Sequence, residues 1–369
     1  MMNQPLKTVF ILPVLTAGGA ERVIITLLNN INTERYNPHL IIIKDGKQAK
    51  GWLNNKIPTY FLKQSNLVFG YLKLLRTIKK INPDTIVTTM THSNAITLCL
   101  KLFCPSTKFI IRESSLPSVL VTNYGWKGVV AKCIYKYLYP KADLVLSPSK
   151  QIVNEFEKVI KVKTDNHRVL LNPVNQDLIN DVLDKQEYTK GKSQTIKFVC
   201  VGRLSHEKGY DLLIGALKDF KMPPPYDWCL DIIGDGNEKS NLQNLIHKLG
   251  LDNKISLRGY ISSPWSYMRQ SDTLLLPSRW EGLPNVVLES LACGTPVITI
   301  NTAGSVREIQ SYCKKSNDIY IADNISEFVL KMKNTAPKDR DPPSLLPENY
   351  KIDTVTSEFE SILDDLQSD

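Results

Sequence analysis

The chain of 369 residues has few cysteines, and their spacing pairs none of them. The seven, at positions 99, 104, 133, 200, 229, 293 and 313, form no CxxC motif, and an odd number closes no complete disulfide framework, so a reducing compartment is the simpler setting. Long apolar runs are also missing. Nothing approaches the ~18–20 uninterrupted apolar residues of a membrane span, so any meeting with a bilayer is expected from the surface. The start of the chain imitates a secretory signal, with Lys7 ahead of the apolar residues 9–15 and small residues at 17–20. Pro13 interrupts that run, and residues 21–28 continue as an amphipathic helix, so a signal peptide is not expected. Short-period repeats and low-complexity tracts are absent as well. With 42% apolar and 22% charged residues, disorder, collagen and coiled coil are excluded, and the length suffices for two domains.

What is present in excess is positive charge, unevenly placed. Lys and Arg number 46 against 37 Asp and Glu, a formal +9. Residues 1–175 hold 24 basic and 9 acidic residues, or +15; the remainder holds 22 and 28, or −6. One half is thus expected to face a polyanion or an anionic surface.

Short apolar runs alternate with longer helical patterns, the signature of parallel α/β units. Strands are expected over residues 8–14, 40–43, 85–89, 108–112 and 144–147. The rhythm restarts at 196–201, 230–233, 255–257, 273–276 and 297–300. Each half can make its own doubly wound sheet, with a join in the polar, turn-rich residues 171–195. Another break, rich in proline, spans 337–347, and a last helix is expected over 354–366.

Open parallel sheets bind ligands at the carboxyl ends of their strands, so the loops there carry the functional expectations. After the first strand, Gly18-Gly19 opens a helix; the pair suits an anion at a helix N-terminus, and a purely structural turn equally well. It is not the GxGxxG fingerprint. After the first strand of the second half, Gly202-Arg203-Leu204-Ser205-His206-Glu207-Lys208-Gly209 places Arg203 and Lys208 around a turn that opens a helix, an arrangement suited to a diphosphate. The third, Gly234-Asp235-Gly236-Asn237, reads as a tight turn with Asp235 or Asn237 near a helix N-cap. The fourth is the most informative: Pro277-Ser278-Arg279-Trp280-Glu281-Gly282-Leu283-Pro284-Asn285-Val286-Val287-Leu288-Glu289. Here a helix begins near Asn285 between two carboxylates, with Glu289 ~6 Å along the axis. Phosphate at the helix N-terminus and sugar hydroxyls on either side fit this layout; a surface loop and a solvated helix face also fit the spacing.

Glu281 and Glu289 form an E-x7-E pattern, and the surrounding W-E-G-L-P-N-V-V-L-E-S-L-A-C-G-T-P-V-I resembles the retaining glycosyltransferases of family 4, with the GT-B fold. The likeness extends to G-R-L-S-H-E-K-G, to G-G-A-E-R near the start and to L-N-P-V-N before the join. It implies two Rossmann-like domains facing a cleft: residues 1–175 for the acceptor, 176–345 for the nucleotide sugar, and 346–369 as a helix packing back on the first domain. By resemblance, Arg203 and Lys208 hold the diphosphate, Glu289 the ribose, and Glu281 hydroxyls of the transferred sugar. Backbone of Gly282, Leu283, Pro284 and Asn285 contacts sugar and phosphate, and Gly18 and Gly19 approach the phosphate from the other domain. Arg203, Lys208 and Glu281 are the catalytic candidates. Many relatives carry a histidine after a late strand of the first domain; here that stretch reads Phe109-Ile110-Ile111-Arg112-Glu113, which makes Arg112, Glu113 and the separate loop residue His92 acceptor-side candidates. No His/Asp cluster argues for a divalent ion, so neither a metal nor another cofactor is expected, and no covalent nucleophile stands out.

The resemblance implies transfer of a hexose or N-acetylhexosamine from a nucleotide-diphosphate sugar, expected to be a UDP-sugar. The acceptor is expected to be a polyprenyl-diphosphate-linked glycan in capsule- or O-antigen-like synthesis. Lys127, Lys132, Lys136 and Lys141, interleaved with Val129, Val130, Ile134 and Tyr135, suggest a basic helix on the anionic cytoplasmic face of a membrane; a core-facing helix with a lysine edge fits equally. The alternatives are a sugar-nucleotide epimerase on the same fold and a basic polyanion binder without transferase activity. No nucleic-acid module is recognisable.

Overall fold

Strand β1 (Leu6–Leu12) and helix α1 (Gly19–Asn30) set the pattern of the whole chain. The last five residues of β1 are buried, and Val23, Ile24, Leu27 and Leu28 recur at helical spacing along α1 to cover the sheet. The structure, a computed structural model, describes every residue except 1–3, 16–17, 45–51, 55, 64–66, 124, 159, 162–165, 186–193, 339–340 and 369, and the side chains of 67–69. Residues 186–193 of the join expected within 171–195, and Ala17 of the small residues 17–20, therefore lie outside the described residues.

The chain forms two units, one of Met1–Pro173 with Ile352–Asp369, the other of Val174–Lys351. In the first, β1 is joined by β2 (Tyr36–Ile42), β3 (Thr59–Phe61), β4 (Thr85–Thr89), β5 (Lys108–Arg112), β6 (Leu144–Ser147) and β7 (His167–Val169), all parallel, in the order β3-β2-β1-β4-β5-β6-β7. Around them run α2 (Leu67–Ile81), α3 (Thr91–Leu98), α4 (Pro117–Asn123), α5 (Trp126–Tyr137) and α6 (Lys150–Lys158).

The second unit opens with α7 (Gln176–Leu183) and repeats the plan. Its strands are β8 (Thr195–Val201), β9 (Asp227–Ile233), β10 (Ile255–Gly259), β11 (Thr273–Leu276), β12 (Val297–Ile300) and β13 (Ile319–Ala322), parallel in the order β10-β9-β8-β11-β12-β13. Helices α8 (Tyr210–Ala216), α9 (Lys239–Lys248), α10 (Trp265–Gln270), α11 (Asn285–Ala292), α12 (Val306–Tyr312) and α13 (Ile325–Lys333) alternate with them. Phe198, Leu230 and Ile232 of the sheet and Leu213, Ile214 and Ile246 of the helices belong to its core. The α/β class read from the alternation is the architecture found. Strands β3, β7 and β13 are the exceptions: each is three or four residues long and outermost in its sheet, where part of the strand stays wet and the apolar pattern fades.

The final helix, α14 (Ile352–Ser368), belongs to the first unit. Phe359 is fully buried with its ring 6.1 Å from that of Phe10, and Tyr36 Oη bonds Asp364 at 2.7 Å. Residues up to Lys351 stay with the second unit, past the boundary expected at 345, because Leu345 N donates to Leu291 O and Val174 N to Tyr350 O, both at 2.8 Å. This regroups the charge. Helix α14 carries no base and six acids, counting Asp369, so the first unit holds 24 basic and 15 acidic residues and the second 22 of each. The whole +9 sits on the first unit, and the second is neutral where an acidic half was expected. Two exposed pairs, Arg35–Asp364 at 2.7 Å and Arg168–Asp365 at 2.9 Å, lie where α14 meets its basic host.

Replacing Phe359 by Ala removes a buried ring from the first unit and is expected to cost about 3–5 kcal/mol there. Hydrogen exchange should show protection lost in β1 and α1 and kept in β8–β12; equal loss in both units would contradict the assignment of α14.

Candidate active site

In the second unit strand order reverses between β8 and β11, and the loops leaving the carboxyl ends of those two strands are the ones that carry Lys208 and Glu281. A parallel sheet leaves a crevice at that point because successive crossovers depart to opposite sides. Lys208 Nζ and Glu281 Oε1 stand 2.6 Å apart, with side chains 17% and 14% exposed. Ser278, fully buried, donates its hydroxyl to the same Oε1 at 2.8 Å. Among the described residues Glu281 Oε2 has no hydrogen-bond partner.

Three further contacts hold the two loops in register. Arg279 grips Asp211 with both terminal nitrogens, at 2.8 and 2.6 Å, and donates to His206 O at 2.7 Å. The fork lowers the Asp211 carboxyl below its ordinary range and raises the Arg279 guanidinium. Arg279 N donates to Glu207 O at 2.8 Å. Gly209 has φ +67°, and a Cβ there would come within 2.2 Å of Pro277 O, so the approach of the loops requires glycine. From the β12 side, Ser305 N donates to Gly282 O at 3.0 Å, and a Cβ on Gly304 would meet Glu281 O at 2.2 Å.

Helix α11 begins at Asn285, after Pro284 as its N-cap, so its positive end adjoins the loop of Glu281, Gly282 and Leu283. Glu289, one turn along, accepts from Trp265 Nε1 at 3.1 Å. Arg203 is exposed; its carbonyl accepts from Ser205 N at 2.9 Å, and its guanidinium makes no hydrogen bond or ion pair with a described residue. The two expected cations thus differ: Arg203 is uncommitted, and Lys208 is already bound to a carboxylate. The third loop is a buttress. A Cβ at Gly234 would lie 1.8 Å from Gly202 O, and Leu204 N donates to Asp235 O at 3.0 Å. Asp235 Oδ1 closes its own turn on Gly236 N at 2.9 Å, and the N-cap of α9 is Glu238.

In the first unit the reversal falls between β1 and β4. Gly18 is the N-cap of α1, and Gly19 its first residue. Buried Glu21 packs back over that helix end, with Oε2 at 2.3 Å from where a Cβ of Gly18 would be. Met90, at the end of β4, takes φ +74°, a strain of about 1–3 kcal/mol for a residue with a side chain. His92 follows, exposed; desolvation of its ring and the charge of Lys44 lower its pKa, against Glu113 and Glu21.

Arg112 and Glu113 depart from expectation, since both are buried and neither presents its side chain to an acceptor. The Glu113 carboxylate accepts from Tyr139 Oη (2.6 Å), Thr91 Oγ1 (2.7 Å), Tyr135 Oη (3.4 Å) and the amides of Ser114 and Ser115 (3.1 Å each). Burial and the Glu113 charge push both tyrosines up. Arg112 bonds Asn172 Oδ1, and burial lowers its pKa to about 10. Glu113 is thus tied into the interior, while Arg112 keeps Nε and Nη1 buried without a hydrogen-bond partner among the described residues.

Sequence reasoning missed Ser278, Arg279, Asp211, Gly304 and Trp265. Ser278 and Arg279 stood inside the recognised motif; the signal lacking was their partners, which the chain brings from 68 positions away for Asp211 and 24 for Trp265.

Residues 183–331 match the family described as glycosyl transferases group 1. The N-acetylgalactosamine-N,N'-diacetylbacillosaminyl-diphospho-undecaprenol 4-alpha-N-acetylgalactosaminyltransferase of Campylobacter jejuni is 30% identical over 308 residues, 80% of each chain. The lipopolysaccharide 1,6-galactosyltransferase of Escherichia coli is 24% identical over 309 residues, 79% of this chain and 78% of that one. Among solved structures, Anabaena Alr3699/HepE with UDP and glucose superposes with a TM-score of 0.75 at 17% identity, covering 98% of this chain and all of the other. The lipopolysaccharide outer core galactosyltransferase WaaB in its apo form gives 0.68 at 21%, covering 98% and 99%. These likenesses place both sheets in the GT-B fold. With the Glu281–Glu289 loop and helix at the switch point of the second sheet, and a relative this similar over four-fifths of its length, the chain belongs to the group 1 glycosyltransferases, enzymes that transfer sugars.

Proposed function

We propose that the chain is a retaining glycosyltransferase of family 4. In this reading it moves a hexose or N-acetylhexosamine from a UDP-sugar to a polyprenyl-diphosphate-linked glycan during cell-surface polysaccharide synthesis. The observation that carries the reading is the meeting of Lys208 and Glu281 beside the N-terminus of α11. The names of two relatives support the acceptor class and the setting, one acting on a diphospho-undecaprenol-linked sugar and one on lipopolysaccharide; the UDP held by a structural neighbour supports the nucleotide.

As the glycosidic bond breaks, negative charge grows on the β-phosphate. Lys208, Arg203 and the α11 N-terminus supply positive charge where it develops, with no need to rearrange during the reaction. A charge pair at 4 Å has roughly 4 kcal/mol of Coulomb energy at an effective dielectric of 20, so two cations can take the part of a metal. Glu281 receives hydroxyls of the transferred sugar and Glu289 those of the ribose. The leaving phosphate helps deprotonate the acceptor hydroxyl on the face it departs from, which retains configuration without a covalent nucleophile.

The acceptor belongs to the first unit, where α5 presents an unusual face. Trp126 is 74% exposed, Val129 64% and Tyr137 61%, with Val130 also exposed. Lys127, Lys132 and Lys136 are interspersed among them and Lys141 follows. Nearby, Lys101 Nζ donates to Lys141 O at 2.9 Å and is followed by exposed Leu102 and Phe103. Apolar side chains ringed by lysines on the unit that carries the net charge suit the anionic cytoplasmic surface of a membrane, at roughly 1 kcal/mol per surface cation. Among the described residues no helix is long and apolar enough to cross a membrane, so attachment is peripheral in this reading.

Three measurements test this. A thermal-shift and hydrolysis screen over sugar nucleotides should find a donor, and Glu281→Ala and Lys208→Ala should each lower its turnover at least ~10²-fold; near-wild-type rates would overturn the site. Activity should survive EDTA, whereas loss restored by Mg²⁺ or Mn²⁺ would contradict metal independence. Flotation should carry the protein with anionic and not with neutral liposomes, in a salt-sensitive manner; binding to neither removes the membrane from the account.

A further inference from the structure

We propose that the Lys208–Glu281 ion pair is a partner-exchange device that makes the site hold an intact nucleotide sugar and reject the free nucleoside diphosphate. This rests on the reading of the donor site given above. In this proposal Lys208 reaches a diphosphate by leaving Glu281, to which its ammonium donates at 2.6 Å with both side chains less than one-fifth exposed. Glu281 then retains one donor, the Ser278 hydroxyl on Oε1 at 2.8 Å, and its other oxygen has none among the described residues. A largely buried carboxylate left short of partners is costly.

What happens next depends on the ligand. An intact donor carries sugar hydroxyls that give Glu281 new hydrogen bonds in place of the one from Lys208, so the exchange is nearly balanced. A free nucleoside diphosphate takes the lysine and offers Glu281 nothing. After transfer the sugar is gone, Glu281 is left without its hydroxyls, and its pull on Lys208 weakens the hold on the spent nucleotide. Arg203, exposed and uncommitted, serves both ligands alike, so discrimination belongs to the pair alone. Glu281 therefore acts twice, once on the sugar and once against the spent nucleotide.

The test is calorimetric titration of the full chain with UDP, with GDP in parallel. Lys208→Ala should weaken nucleotide binding about tenfold. Glu281→Gln, which frees the lysine at constant size, should tighten it about tenfold while slowing transfer. In the Lys208→Ala background the tightening should vanish. If it persists there, Glu281 merely repels phosphate and the exchange is wrong; if Glu281→Gln does not tighten binding, it is wrong also. Should Glu281→Gln not fold, Ser278→Ala provides a second reading: it strips the abandoned carboxylate of its last partner and should weaken nucleotide binding a further few-fold, and an unchanged affinity refutes the exchange. If Lys208→Ala leaves nucleotide affinity unchanged, the donor-site reading itself falls.

Discussion

A cation and an anion 73 positions apart in sequence meet because two neighbouring strands of one parallel sheet send their loops to the same end. Everything else at the site serves that meeting. The backbone approach at Gly209 sets the distance between the loops, the Arg279–Asp211 fork fixes their register, and the turns at Gly234 and Gly304 support them from either side. Neither charge would be stable at this depth alone. Together they neutralise one another while leaving an edge accessible, which is the condition for exchanging partners with a ligand.

The strands that could be read from the sequence are those buried on both faces, where a run such as Leu274-Leu275-Leu276 leaves no ambiguity. Three of the four edge strands, β3, β7 and β13, mix wet and dry positions and escape that pattern; β10, also outermost, was still read from residues 255–257. The two glutamates of the site were legible because their spacing across a loop and a helix start is local. The state of Lys208 was not, since its partner comes from a distant strand. Arg112 and Glu113 illustrate the opposite error: charged residues at the carboxyl end of a central strand look functional, but Tyr135 and Tyr139, from a helix and turn more than 20 positions on, close over Glu113. The regional charge count failed for a related reason, because α14 is last in sequence yet part of the first unit.

That buried carboxylate also explains how α5 can be so exposed. Tyr135 reaches inward to Glu113 while Trp126, Val129 and Tyr137 face outward, so one helix is bolted to the sheet by polar contacts and leaves its apolar groups uncovered. The T-shaped contacts of Tyr135 with Tyr139 and Phe156, at 4.9 and 5.0 Å, complete the anchor. Few apolar residues of α5 are spent on the core, which keeps them for the surface.

The pairing of Phe10 with Phe359 has a consequence during synthesis. The second unit is one uninterrupted stretch and can complete its core without a segment from elsewhere in the chain. The first unit cannot, because the helix that seals β1 and α1 follows the whole of the second unit in sequence. Strand β1 and helix α1 therefore wait for α14, and their uncovered apolar surface must be tolerated while the second unit is made.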